Sequence, residues 1–492
     1  MKKNKKKYNT IITKTHHINH IHFVGIGGIG MSGIAEVLLK QGYKISGSDL
    51  ISTNITKRLI ALGAKIYFNH SKKNIKNANI IVMSNAISSH NPEITHANIL
   101  KIPVIKRGEM LAEITRYKYG IAVSGTHGKT TTTALIFSIL LESNLDPTLI
   151  NGGLVKSINN SAKLGNSPYY IIEADESDAS FLYLTPVVSI LTNIDNDHLE
   201  NYHENFDNIK SAFIKFVQNI PSYGTAIICI DDKNIRNIIS SINCNIITYG
   251  FSTDSDVRIE KYTQNKFSSH FVITRPYKPQ LDIILNMPGI HNALNATAAI
   301  ATATQENIND VNILKSLKNF KGIERRFELC GNFLIKKSPN IHNVITIIKD
   351  YGHHPKEISS SINTARSGWP KTKLLMIFQP HKYTRTYYLF EQFKNVLLKV
   401  DELFILKVYP ANEHAIPGTD SLTLYNELCK YKKKSITLIS NYNDMFTILI
   451  KKLSRNNILL IQGAGNVDII VNNHVIKNFK KLNKKQFLCS KK

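Results

Sequence analysis

The sequence predicts an α/β protein of three units in tandem, each built on a parallel sheet with helices on both faces. Three observations carry this. Short apolar runs of strand length alternate with helical stretches along most of the chain. Two of those runs lead into glycine-rich turns, GIGGIG and GTHGKTTTT, and then into helices. The chain has 492 residues, which at about 150 residues per domain favours roughly three domains.

The first unit reads as a buried strand at His20–Val24, a glycine turn and a helix from Met31 to about Lys40. Further strands follow at Tyr43–Gly47, Lys65–Tyr67 and Ile80–Met83. A new unit opens near residue 118 with the strand Lys118–Ser124 and the helix Ala134–Leu141. Its later strands are Tyr169–Ile172, Val187–Leu191 and Thr225–Ile230. Alternating polar and apolar residues over 250–285 predict a small antiparallel insert, and an Ala- and Asn-rich helix follows at His291–Thr304. The third unit starts near Glu324–Phe327. It has an apolar stretch at Val344–Ile348 and strands at Leu374–Phe378, Glu402–Val408 and Asn457–Gln462. The expected partition is a basic tail over 1–19, then domains over 20–117, 118–324 and 325–492.

Composition narrows the class. Hydrophobic residues make up 42% and charged residues 20%, which argues against a disordered or fibrous chain. No run approaches the roughly 18 apolar residues of a membrane-spanning helix. The basic start MKKNKKKYNTIITK has no apolar stretch behind it, so no secretory signal is expected and the cytoplasm is the default compartment. The net charge of +26 invites a nucleic-acid reading. Only 11 of the 62 cationic residues are arginine, however, and the dense clusters sit at the ends. These are Lys2, Lys3, Lys5, Lys6 and Lys7, then Lys477, Lys480, Lys481, Lys484 and Lys485. They read as solvated tails, so no nucleic-acid partner is expected. The five cysteines, Cys229, Cys244, Cys330, Cys429 and Cys489, form no C-x-x-C pair. That argues against zinc and disulfides and fits a reducing compartment.

In the first unit, Gly25, Gly27, Gly28 and Gly30 follow a strand and open a helix. Such glycines let the backbone turn tightly against a diphosphate, which the helix N-terminus then favours. Asp49, at the end of the next strand, is placed to bond a ribose hydroxyl. The fingerprint alone does not separate NAD from a UDP-sugar, nor either of them from an unliganded tight turn.

The second unit carries a sharper signal. Backbone N–H groups of Gly125, Thr126, His127, Gly128 and Lys129 can wrap a phosphate, Lys129 can reach the β/γ oxygens, and Thr130 can hold Mg²⁺. The strict spacing needs glycine at 123, where this chain has Val123, so the loop is a shortened variant. Glu173 emerges directly from a strand and is the better metal ligand. His198, in the run Asn193, Asp195, Asp197, His198, is an unusual but admissible one. Asp175, Asp197 and Glu200 read as helix caps or solvated acids. Asn292 and Asn295 suit an adenine edge, although in isolation they read as a helix N-cap. Two adjacent arginines, Arg325 and Arg326, suggest a fork-shaped contact to phosphate or carboxylate.

Taken in order, HIHFVGIGGIGMSGIAEVL, SGSD, GTHGKTTTTA, EADESDASF, LTNIDNDH, GIHNALNA, RRFE, DYGHHP and FQPHKYTR resemble the Mur ligases, from about His20 to about Gly465. The resemblance implies an N-terminal Rossmann-like domain for a UDP-sugar, a central P-loop-type ATPase domain with a parallel sheet, and a C-terminal Rossmann-like domain. The GIGGIGM start favours the L-alanine-adding member. It implies ligation of L-alanine to the lactyl carboxylate of UDP-N-acetylmuramate through an acyl phosphate, with ATP and Mg²⁺ as cofactors. A member attaching a whole muropeptide to the same UDP-sugar is the alternative.

By motif match, Gly125 to Thr131 (Thr131 included), Asn292, Asn295, Arg326 and Asp350 would contact ATP. Gly25, Gly27, Gly28, Gly30, Ser48, Asp49 and Arg107 would hold the UDP-sugar. Tyr351, His353, His381 and Arg385 would surround L-alanine, and Thr130, Glu173 and His198 would hold the metal. Lys129, His198 and Arg385 would be catalytic. Three departures stand out: Lys382 where arginine is usual, Lys349 where an acid is common, and a drift after Asn466 at Val467 and Asp468. Some relatives carry a carbamylated lysine, here in the neighbourhood of Lys210 or Lys215. The expected assembly is a monomer or homodimer without membrane insertion.

Overall fold

The computed structural model describes residues 18–338, 341–432, 435–454 and 456–482. The lysines at 2–7 and 484–485, and Cys489, lie outside these residues. Lys477, Lys480 and Lys481 are exposed. No helix among the described residues is long and apolar enough to cross a membrane.

Three sheets form. The first contains β1 (His20–Val24), β2 (Lys44–Ser48), β3 (Lys65–Tyr67), β4 (Ile80–Met83) and β5 (Val104–Lys106), all parallel, in the order β3-β2-β1-β4-β5. Every residue of β1 is buried, and its two histidines each place one ring nitrogen on Ser46 Oγ at 2.7 Å. The strand order reverses beside β1, so its C-terminal end opens the crevice where open α/β sheets hold ligands.

The second sheet contains β6 (Tyr119–Ser124), β7 (Thr148–Val155), β8 (Asn160–Lys163), β9 (Tyr169–Glu173), β10 (Val188–Leu191), β11 (Thr225–Cys229), β12 (Asn245–Gly250), β13 (Val257–Asn265), β14 (Ser268–Arg275) and β15 (Lys278–Leu285). Its order is β15-β14-β13-β12-β11-β10-β6-β9-β7-β8. β6 therefore lies between β10 and β9, parallel to both. The two-residue connections at 266–267 and 276–277 allow only antiparallel neighbours, as expected for the insert.

The third sheet contains β16 (Glu328–Ser338), β17 (Ile341–Asp350), β18 (Lys373–Phe378), β19 (Glu402–Ile405), β20 (Ile436–Leu438) and β21 (Asn456–Gln462), in the order β16-β17-β21-β18-β19-β20. Only β16 runs antiparallel. Leu374, Met376 and Phe378 of β18 join one apolar cluster, while Leu375 and Ile377 join another. Both faces are thus covered, which is why the strand reads as an unbroken apolar run.

Two boundaries differ from expectation by three residues or more. The helix after the second glycine turn begins at Lys129 and runs to Glu142, five residues earlier than Ala134. Lys129 is followed by four threonines, poor helix formers whose burial overrides propensity. The strand expected over Glu402–Val408 stops at Ile405: Leu406 N makes the last rung to Phe378 O, and Lys407 beyond it is exposed.

The chain forms two compact units. Among the described residues, the first comprises 18–261, Phe271–Ile283 and Leu294–Lys321; the second comprises Tyr262–His270, Ile284–Ala293 and those from Gly322 to 482. The first two sheets share one unit because they are tied together. Glu36, buried on the helix Ile29–Lys40, accepts both bonds of Asn160 Nδ2 at 2.9 and 3.0 Å, and Gln41 donates to Tyr170 Oη at 3.0 Å.

Candidate active site

The shortened phosphate loop has a structural cause. Val123 is fully buried within β6, paired with Ile190 and Glu173, so the loop starts only after Ser124. Gly125 and Gly128 adopt φ of +128° and +85°. A Cβ at these positions would stand 2.1 Å from Thr192 Oγ1 and 2.4 Å from Asn295 Oδ1. Glycine is required at both on grounds of conformation and space.

The strand ends beside β6 grip this loop. Thr126 N donates to Asn193 O (3.0 Å), His127 N to Asn193 Oδ1 (2.8 Å), and Asp195 N to Thr126 Oγ1 (2.8 Å). His127 Nε2 lies 3.2 Å from Asp195 Oδ2. From the other side, Glu173 at the end of β9 accepts from Thr130 Oγ1 at 3.1 Å and from Gly152 N at 2.6 Å. The two expected metal ligands Thr130 and Glu173 therefore meet, and both offer hard oxygen donors of the kind Mg²⁺ takes. His198 sits on the loop after β10 with φ +59° and lies 3.7 Å from Asp197. Thr131, the third residue of the helix, is buried. Asn295 Oδ1 accepts from Thr132 Oγ1 at 3.2 Å, which places it at the loop.

Lys129 Nζ donates to Gly125 O (2.7 Å) and Thr126 O (3.2 Å) and lies 2.6 Å from Glu176 Oε2. Burial alone would lower its pKa. The carboxylates of Glu176, Asp175 and Glu173 outweigh that and hold it above the ordinary value. Asp175 is neither a cap nor a solvated acid, as the sequence had implied: it pairs with Arg107 at 2.8 Å and accepts from Ser177 N at 3.1 Å. Burial would raise its carboxyl, but Arg107 and then Lys129 hold it down to about 2. Lys210 pairs with Asp207 at 2.9 Å, and Lys215 is exposed.

On the first sheet, the glycine turn is fastened to the end of β2. Gly25 N and Ile26 N donate to Ser48 O at 2.9 and 3.0 Å, and Gly27 N donates to Asp49 Oδ2 at 2.8 Å. Gly28 stands at the helix N-cap. The Arg107 guanidinium lies 3.0 Å from where a Cβ of Gly30 would stand, so it crosses the start of that helix. The Ser48 side chain is fully buried, bonded to Glu93 Oε2 at 2.5 Å and His70 Nδ1 at 3.1 Å. Ser48 thus serves the cradle through its carbonyl, with its hydroxyl turned into the core.

In the second unit, β17, β21 and β18 are neighbours, and their C-terminal ends bring DYGHHP, GAGN and FQPHKYTR together. Tyr351 meets His353 edge-on at 5.5 Å, His353 lies 5.5 Å from His381, and His381 stacks on Tyr409 at 5.4 Å. Arg385 Nη1 lies 3.3 Å from His381 Nδ1. The four expected alanine contacts are therefore one cluster. Asp350 accepts from Phe327 N, Gly352 N, Ser361 Oγ and Gln462 Nε2 at 2.8 to 3.0 Å, a framework role alongside any ligand contact. Arg326 lies over the Tyr351 ring at 5.2 Å and 3.7 Å from Glu357. Asn292, buried, donates to Pro288 O at 2.6 Å. His354 is a buried N-cap of the helix Pro355–Gly368.

Several contributors carry no sequence signal. Tyr409 and Glu413 come from an irregular loop, where Glu413 bonds Thr384 and lies 3.6 Å from Lys382. Arg325 was legible as half of a fork, but its guanidinium donates to Gly463 O (2.6 Å) and Gly465 O (3.1 Å) and covers Tyr351 at 4.9 Å. Glu176 was hidden among the acids of EADESD.

His381 gives a pH signature. Burial first, then Arg385 and Lys382, lower its pKa from 6.5 to about 4. The folded chain therefore binds fewer protons than the unfolded chain between those values, and the neutral ring's stabilisation is lost as pH falls. Wild type should lose thermal stability relative to His381→Gln as pH drops from 6.5 towards 4, and the two should run parallel above 7. A melting series across that range reads it, and parallel curves throughout would refute it.

A glycine loop at a helix start, clamped by both neighbouring strand ends, with a second glycine turn on the adjoining sheet, is the arrangement of a nucleotide-dependent enzyme. Residues 20–119 match the Mur ligase family catalytic domain, 123–303 the Mur ligase middle domain, and 325–465 the Mur ligase glutamate ligase domain. A UDP-N-acetylmuramate–L-alanine ligase of Buchnera aphidicola subsp. Baizongia pistaciae is 59% identical over 98% of this chain and 99% of its own. One from Buchnera aphidicola subsp. Acyrthosiphon pisum is 53% identical over 97% and 98%. The crystal structure of UDP-N-acetylmuramate-alanine ligase from Thermotoga maritima superposes with a TM-score of 0.78 at 28% identity, covering 94% of this chain and 99% of that one. The chain belongs to the Mur ligase family and is an ATP-dependent ligase.

Proposed function

We propose that this enzyme joins the lactyl carboxylate of UDP-N-acetylmuramate to the amine of L-alanine, splitting ATP to ADP and phosphate, in the synthesis of peptidoglycan precursors. The observation that carries the substrate assignment is the 59% identity, end to end, with a relative bearing that activity. Residues 20–117 are read as the UDP-sugar domain, 118–324 as the ATP domain and 325–492 as the domain serving ATP and the amino acid. The reaction is read as cytoplasmic, in a monomer or homodimer.

A carboxylate is a poor electrophile, so it must first be made an acyl phosphate. Both the γ-phosphate and the carboxylate are anions, and their repulsion has to be offset as they meet. Lys129 is positioned to offset it at the phosphate, with the loop amides of Gly125–Lys129 and the helix start behind it. Thr130 and Glu173, 3.1 Å apart, would hold Mg²⁺, with His198 as a further candidate. Magnesium, when bound, would neutralise phosphate charge. Arg107 and the amides beside Asp49 serve the sugar's diphosphate. Arg385 would take the alanine carboxylate in its fork, within a wall of Tyr351, His353 and His381. The amine then attacks the acyl carbon, and phosphate leaves from the tetrahedral intermediate.

Phosphate release should appear on mixing the protein with ATP, Mg²⁺, UDP-N-acetylmuramate and L-alanine, and should be weaker with glycine or L-serine. Release with a peptidoglycan tripeptide in place of L-alanine would transfer the assignment to the muropeptide-attaching reaction.

A further inference from the structure

Lys129 Nζ donates to Gly125 O and Thr126 O at 2.7 and 3.2 Å, and its third close contact is an ion pair with Glu176 Oε2 at 2.6 Å. A phosphate oxygen that takes Lys129 must replace one of these partners. The two carbonyls belong to the loop that cradles the phosphate, so they stay with it. The replaceable partner is Glu176, which has the same sign of charge as the phosphate. Its side chain is only 5% exposed, on the loop after β9, and its backbone carbonyl is held by Tyr202 Oη at 2.5 Å. The adjacent acid, Asp175, is already paired with Arg107.

We propose that Glu176 competes with the nucleotide for Lys129, yielding the ammonium as ATP binds and recapturing it as ADP leaves. The inference rests on the ATP reading of the loop and goes beyond it by assigning Glu176 a role in product release. Glu176 acts through Lys129 and is a positioning residue. Once displaced, its carboxylate stands buried beside Asp175 without its cation, a costly state. That cost sets a limit on nucleotide affinity and favours return of the ion pair when the phosphates depart.

The test is nucleotide binding to the full chain by calorimetry, with ADP and a non-hydrolysable ATP analogue in Mg²⁺. Glu176→Gln should bind both about tenfold more tightly or better, with a matching fall in the ADP inhibition constant. Affinity for UDP-N-acetylmuramate should hold. Glu176→Asp, which keeps the charge, should return towards wild type. A scaffold role alone would leave nucleotide affinity unchanged or weaken it, and either result overturns the inference. Should Glu176→Gln fail to fold, wild-type crystals with ADP decide. Lys129 Nζ on a phosphate and beyond ion-pair distance of Glu176 supports the inference, whereas an intact pair overturns it. A wild type that binds no nucleotide removes the ATP reading and this inference together, while unaltered binding in the variant removes this inference alone.

Discussion

Lys129→Ala should lower turnover by at least about a thousandfold, the scale expected when a preorganised cation is removed from phosphoryl transfer. Affinity for UDP-N-acetylmuramate should stay within about threefold of wild type. The glycine cradle is fastened by its own contacts, Gly25 N and Ile26 N to Ser48 O and Gly27 N to Asp49, none of which involves Lys129. Steady-state phosphate release and sugar-nucleotide titration read the two arms. Sugar binding that collapsed along with turnover would show that the UDP-sugar does not sit at Gly25–Gly30. The contrast with Glu176→Gln is diagnostic: the same ion pair is broken in both, yet one variant should lose the nucleotide and the other should hold it harder.

Arg385→Lys should reduce kcat/KM for L-alanine by about a hundredfold and Arg385→Ala by more, with the KM for ATP little changed. Arg385 is 7% exposed, and its guanidinium is oriented by His381 through both the ring nitrogen and the carbonyl, each at 3.3 Å. A lysine offers a single point of charge where the fork offers two parallel donors. Lys382 is poorly placed to compensate, because its ammonium is drawn to Glu413 at 3.6 Å. Initial rates with L-alanine varied at saturating ATP and sugar read the effect, and unchanged kcat/KM in Arg385→Lys would remove the carboxylate assignment.

The strands were legible because parallel sheets covered on both faces demand unbroken apolar runs, and β4 and the ends of β1, β6 and β18 fall where those runs do. The phosphate loop was legible because its glycines answer to backbone geometry. Other features answered to context. The helix start at Lys129 was masked by a threonine run that disfavours helices in isolation. Asp175 and Glu176 share one acidic run, and only folding shows that Arg107 claims the first and Lys129 the second. Ser48 sits in a ligand motif yet directs its hydroxyl to Glu93. Tyr409 enters the amine-side cluster from a loop with no periodicity, so nothing in spacing could have named it.

The second unit reaches back along the chain for part of its substance. Phe267 packs edge-on against Trp369 at 4.7 Å, and Gln264 Nε2 donates to Thr364 O at 2.9 Å. A hybrid enzyme that exchanged its final third with a distant relative would therefore have to import residues 262–270 and 284–293 as well. Recombination at a single crossover would strand an aromatic ring without its mate, so inheritance of this unit is constrained at three places in the gene.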